Sequence, residues 1–123
     1  MTTKAQLIER TRMFATRVFR LVDKLPRSQG SKIITIQLLK SASSVAANYR
    51  AVNRAKSRAD FANKLKVVLE EADESNFWLT FIHDLELIDK SDNELLHLIK
   101  ESNELTAIFT SSIKTISTSG KKS

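Results

Sequence analysis

The sequence has no cysteine, one proline and two glycines in 123 residues, with one tryptophan and one tyrosine. Without cysteine there can be no disulfide and no thiolate metal site, a usage that suits a reducing compartment. The shortage of glycine and proline argues against a β-sandwich or barrel, whose many tight turns need them. No uninterrupted apolar run approaches the roughly 18 residues of a membrane-spanning helix. The start, Met1-Thr2-Thr3-Lys4-Ala5-Gln6, has no apolar signal core. At 41% hydrophobic and 28% charged residues, the chain is expected to form one all-helical cytoplasmic domain with a substantial core.

The net charge of +6 is unevenly distributed. Residues 1–68 hold 15 Lys/Arg against 3 Asp/Glu, whereas residues 69–104 hold 2 against 11. A basic half next to an acidic half suits either an anionic partner or mutual neutralisation within a fold or oligomer.

Four apolar stripes at spacings of three and four residues predict four helices. The first runs through Leu7, Thr11, Phe14, Val18, Leu21 and Leu25, and Pro26 ends it. The second follows the turn Ser28-Gln29-Gly30-Ser31, either serine of which suits its cap, through Ile34, Leu38, Ala42, Val45, Tyr49 and Val52. Its small segment Ser41–Ala47 permits a close helix crossing, and Asn48 there is expected to be buried and in need of partners. The third opens on Ser57 and Asp60, an S-x-x-D cap signal, and runs from Phe61 through Leu65, Val68, Ala72, Asn76 and Leu79 to about residue 88. Ser91 and Glu94 suggest the start of the fourth, which continues through Leu95, Leu98, Ser102, Leu105, Phe109, Ser112 and Ile116. The predicted fold is an all-α, antiparallel up-and-down four-helix bundle over residues 1–116, with a disordered polar tail at 117–123.

Two regions are too apolar for an isolated bundle. Phe77, Trp78 and Phe81 cannot share one stripe with Leu79 and Ile82, and Ile33, Ile36 and Leu39 lie off the main stripe of the second helix. Either the third helix is buried on all sides, or these six residues form an oligomer interface; self-association is the preferred reading.

No enzyme signature is present: no H-E-x-x-H, Walker loop, dinucleotide-binding glycine motif or nucleophile elbow. Glu94-Leu95-Leu96-His97 is an E-x-x-H, the half-site of a di-iron bundle, but His83 is preceded by Thr80 where the second half-site needs a Glu. The expectation is therefore no enzyme, no metal and no cofactor. The cluster Glu70-Glu71-Ala72-Asp73-Glu74 is better read as forming ion pairs between helices or between subunits, with Lys40, Arg50 and Arg54 as natural partners, than as a cation site.

The basic positions are the functional lead. Arg10, Arg17, Arg20, Lys24 and Arg27 share a face of the first helix, while Arg50, Arg54, Lys56 and Arg58 surround the second loop. Arginine's planar fork suits phosphate, and phosphate contacts dominate non-specific nucleic-acid affinity. Tyr49 is the only aromatic near the loop, so base stacking is expected to be weak. The alternative is a solvated face that pairs within or between subunits.

The string Gln37-Leu38-Leu39-Lys40-Ser41-Ala42-Ser43-Ser44-Val45-Ala46-Ala47-Asn48, followed by Phe61, Leu65 and Glu70-Glu71-Ala72-Asp73-Glu74-Ser75, resembles the two sequence blocks of the 23S rRNA intervening-sequence proteins. The resemblance covers about residues 12–110. It implies a four-helix bundle assembled into a ring-shaped homopentamer. It is also similar to accessory proteins of diversity-generating retroelements, which bind nucleic acid and a reverse transcriptase. No catalytic residue carries over. Two departures stand out: Lys40 replaces the usual Arg, and Tyr49-Arg50-Ala51 stands where many members have I-x-E-G. The expected function is a non-enzymatic homo-oligomeric adaptor that binds RNA or DNA. The alternative is a protein–protein scaffold whose charges hold only the oligomer together.

Overall fold

The structure, a computed structural model, describes residues 2–121, with side chains as far as Ser117. Four helices follow one another: α1 (Lys4–Leu21), α2 (Gln29–Val52), α3 (Arg58–Asp84) and α4 (Asn93–Lys121), with a short 3-10 turn at Val22–Lys24. No strand occurs among the described residues. Polar pairs fix the register. Ser41 Oγ and Ser75 Oγ lie 2.8 Å apart between α2 and α3, and Asn76 Nδ2 donates to Ser102 Oγ at 2.8 Å between α3 and α4. Arg10, Arg17 and Lys24 meet Glu101, Glu94 and Asp92 in turn, so α4 descends as α1 rises. The bundle is antiparallel throughout.

The heptad positions fill the core. Leu7, Thr11, Phe14, Val18 and Leu21 of α1 are buried, as are Ile34, Leu38, Ala42, Val45, Tyr49 and Val52 of α2. Leu25 is only partly covered because the chain leaves the helix before it. Tyr49 stacks on Phe109 with ring centroids 5.6 Å apart, joining α2 to α4. The Ser41–Ala47 segment does bring α2 against α3, and Ser41 and Ala42 are fully buried. Asn48 is only half-buried, and it satisfies its amide locally by donating to the Ser44 carbonyl at 2.9 Å.

Helix ends depart from the sequence reading in several places, and α3 stops at Asp84 rather than at about residue 88 because Glu86 takes a left-handed conformation. Thr3 and Gln6 form a reciprocal capping box at the start of α1. Of the two serines in the second turn, Ser28 caps α2, as one of the two readings had it, and this places Gly30 inside the first helical turn rather than in the loop. Asp92, not Ser91, caps α4: its carboxylate accepts from the Leu95 amide at 3.0 Å, while Ser91 bonds Asp89. The helix continues past residue 116 to Lys121, where a disordered tail was expected; residues 122–123 of that tail lie outside the described residues. Ser57 caps α3 as its sequence signal indicates.

Candidate nucleic-acid interface

The basic residues of α1 are divided between two environments. Arg10 donates through Nε to Glu101 at 3.1 Å and through Nη2 to Glu104 at 3.2 Å. Arg17 grips Glu94 with Nε at 2.7 Å and Nη2 at 2.8 Å, the bidentate geometry suited to a carboxylate. Lys24 Nζ reaches Asp92 at 2.8 Å. These three side chains close the seam between α1 and α4, which α1 touches far less extensively than it does α2. Hydrogen bonding to Arg17 pulls the Glu94 carboxyl below the usual carboxylate range, and hydrogen bonding to Lys24 does the same to Asp92. Arg20 and Arg27 are exposed and form no ion pair among the described residues.

The E-x-x-H string is explained by the same seam. Glu94 and His97 converge on one guanidinium, with Arg17 Nη1 2.8 Å from His97 Nε2. Both residues therefore help hold α1 against α4. Among the described residues, no group of three His, Asp or Glu side chains is spaced to hold a metal ion.

The acidic cluster of α3 forms no close ion pair with the basic residues of α2 inside one chain, although Lys40 lies near enough to act on Glu71. Within the chain, no ion pair joins Glu70, Glu71, Asp73 or Glu74 to Lys40, Arg50 or Arg54 among the described residues. Burial, then the adjacent Glu74 carboxylate, raises the Glu71 carboxyl, and Lys40 only partly offsets this.

What remains is a basic pole. Antiparallel packing gathers the α2–α3 loop, the start of α1 and the end of α4 at one end of the bundle. Arg54, Lys56 and Arg58 are exposed there, and Arg50 lies one turn up α2. Lys4 Nζ sits 5.6 Å from the centroid of the Phe61 ring, and Lys114 is exposed on the last turns of α4. The local acid, Asp60, is engaged by Lys64 at 2.8 Å and by the Lys56 amide at 3.0 Å. The opposite pole mixes Arg20, Arg27 and Lys32 with Asp84, Glu86 and Asp89, so the basic residues at its loops sit among acids.

The surplus apolar residues prove exposed. Phe77 is 54% accessible, Ile33 59% and Ile36 55%, while Phe81 is exposed and Trp78 and Leu39 are half-buried. Phe77 stacks on Phe81 with centroids 5.7 Å apart and meets Trp78 edge-on at 4.9 Å. Within a single chain, therefore, α3 is not buried on all sides. Arg12 was overlooked in the sequence because it lies off the basic stripe. It shares a groove with Arg50 between α1 and α2.

No helix among the described residues is long and apolar enough to cross a membrane. No curated protein matches the chain. One similar solved structure is a protein of unknown function from the S23 ribosomal protein family of Bacteroides thetaiotaomicron VPI-5482. It is 32% identical over 88% of this chain and 98% of its own, with a TM-score of 0.77. The family model described as 23S rRNA-intervening sequence protein matches residues 3–111, and the chain belongs to that family.

Proposed function

We propose that the protein is a non-enzymatic, self-associating helical bundle that binds RNA or DNA as an adaptor in the cytoplasm. The observation that carries this reading is the basic pole, where the side chains of Arg54, Lys56 and Arg58 stand exposed and form no ion pair among the described residues. Cations left unpaired within the fold are free to displace counterions from a phosphate backbone, which supplies most non-specific nucleic-acid affinity. The pole offers no exposed aromatic platform, since Tyr49 is buried against Phe109 and Phe61 is half-covered beneath Lys4. Recognition is therefore by backbone charge and shape rather than by stacked bases. Self-association rests on the exposed Phe77 and Phe81, a pairing of large apolar side chains that a lone monomer rarely leaves in water. A pentameric ring and a reverse-transcriptase partner are the forms this takes in the proteins it resembles.

The test is binding to a structured RNA and to a DNA duplex at low salt. The expected result is measurable affinity for either, falling steeply as salt rises; no binding to both would overturn the reading. The exposed aromatic face also favours a second reading, a protein–protein scaffold without nucleic-acid contact. That reading expects Arg50→Glu to lower the assembly mass while Arg54→Ala and Arg58→Ala change nothing measurable.

A further inference from the structure

The first turn of α2 buries a hydroxyl that the fold leaves without a partner. Ser31 is 2% exposed, and its Oγ is the one buried side-chain oxygen or nitrogen with no hydrogen bond among the described residues. The other buried hydroxyls each bond a carbonyl of their own helix: Thr11 that of Leu7, Ser41 Leu38, Ser75 Glu71 and Ser102 Ile99. Ser31 sits too early for this, because the carbonyl four residues back belongs to Arg27, ahead of the helix. A donor closed off from water and unpaired is costly, so an acceptor brought from outside the chain is bound with advantage.

Ser31 forms part of the wall of a cavity of about 540 Å³ between the end of α1 and the first turns of α2. The cavity has two unlike sides. Val22, Leu25, Pro26 and Ile36 give it an apolar floor. Arg27 and Lys32 also line it, stand exposed and form no ion pair among the described residues. The acids of this pole, Asp84, Glu86 and Asp89, lie at the end of α3 and in the loop after it, and none lines the cavity.

The start of the 24-residue α2 adds its own donors. The Ser31 amide donates to Ser28 Oγ at 3.1 Å and the Lys32 amide to the Ser28 carbonyl at 3.0 Å. The amides of Gln29 and Gly30 meet no acceptor among the described residues. Gly30 is exposed, and no neighbouring element comes within 4 Å of where a Cβ would stand, so this turn is uncovered. Unbonded amides, the positive end of a helix dipole and two cations together attract an oxyanion, whereas the apolar floor holds hydrocarbon.

We propose that this cavity binds a small organic anion, a carboxylate or phosphate head on an apolar body. The head takes the Gln29 and Gly30 amides and the Arg27 and Lys32 side chains. One of its oxygens accepts from the Ser31 hydroxyl, which needs only a turn about χ1 to meet it. The body lies on the floor made by Val22, Leu25, Pro26 and Ile36. The site stands at the end of the bundle opposite Arg54, Lys56 and Arg58, so it is separate from the nucleic-acid reading.

The experiment titrates the isotope-labelled full chain with benzoate, phenyl phosphate, inorganic phosphate and neutral benzyl alcohol, reading amide shifts by NMR and affinity by calorimetry. Saturable shifts centred on Gln29, Gly30 and Lys32 are expected with benzoate, phenyl phosphate or both, and the tighter of the two identifies the head. Inorganic phosphate, which lacks a body, and benzyl alcohol, which lacks a charge, should each bind about tenfold more weakly or worse. Ser31→Ala keeps every charge and removes only the hydroxyl. It should weaken the preferred anion about tenfold while raising the melting temperature of the unliganded chain. Arg27→Gln with Lys32→Gln should weaken it at least as much and leave that melting temperature unchanged. No binding of either organic anion, inorganic phosphate binding as tightly as they do, or a Ser31→Ala affinity equal to wild type would overturn the site. RNA binding at the other pole does not enter these titrations, so the two readings fail separately.

Discussion

Glu86 is the only non-glycine residue with positive φ among the described residues, at 55°. It ends α3 in a left-handed cap: its amide donates to the His83 carbonyl at 3.1 Å and the Leu87 amide to Ile82 at 3.2 Å. The left-handed conformation costs an L-residue about 1–2 kcal/mol, against the roughly 0.5–1 kcal/mol that glycine loses in chain entropy. Glu86→Gly should therefore stabilise the fold by about 0.5–1 kcal/mol, read as a midpoint shift in chemical denaturation; an unchanged or lower midpoint contradicts the cap. Gly30 is the converse case. It sits in a helical turn with nothing within 4 Å of an added Cβ, so Gly30→Ala should raise stability by up to about 1 kcal/mol in the same assay. Residue chemistry made some of these ends readable and obscured others. Ser57 with Asp60 announced α3, and Thr3 with Gln6 carried an equally legible box that the search for apolar stripes passed over. At α4, Ser91 and Asp92 are both good caps, and only the fold, by lending Asp92 to Lys24 as well, separates them.

The four helices were legible because a core needs apolar side chains every three or four residues, a pattern that survives without any knowledge of the partner helix. What the pattern could not reveal was which helix each charged face meets. Arg10, Arg17 and Lys24 read as part of a nucleic-acid-binding stripe, yet their side chains cross to Glu101, Glu94 and Asp92, 68 to 91 residues away. That seam makes an acid-labile closure. Glu94 and Asp92 have lowered carboxyl values in the folded chain, so their contribution is fully present above the unfolded range of about 3.9–4.3. It is lost as pH falls through the lowered folded values. The melting temperature of wild type should exceed that of Glu94→Gln at pH 7, and the gap should shrink below about pH 4. A gap that persists unchanged in acid would show that Arg17 holds Glu94 by something other than charge.

Across the whole molecule, the asymmetry of charge resolves into three uses. Part of the basic half is consumed at the α1–α4 seam, part lines the α1–α2 groove without an ion pair among the described residues, and part forms the pole at Arg54, Lys56 and Arg58. Sequence showed the imbalance but not this partition, because pairing depends on antiparallel register rather than on position along the chain. Under the proposed function, this partition assigns nucleic-acid affinity to the pole, independent of the seam. The direct measurement is the dependence of RNA affinity on salt for wild type, for Arg54→Ala with Arg58→Ala, and for Arg17→Gln. Each phosphate contact removed lowers the slope of log affinity against log salt by about one. The pole variant should therefore show a slope shallower by about two, while Arg17→Gln keeps the wild-type slope. A flattened slope for Arg17→Gln with an unchanged slope for the pole variant would contradict the account.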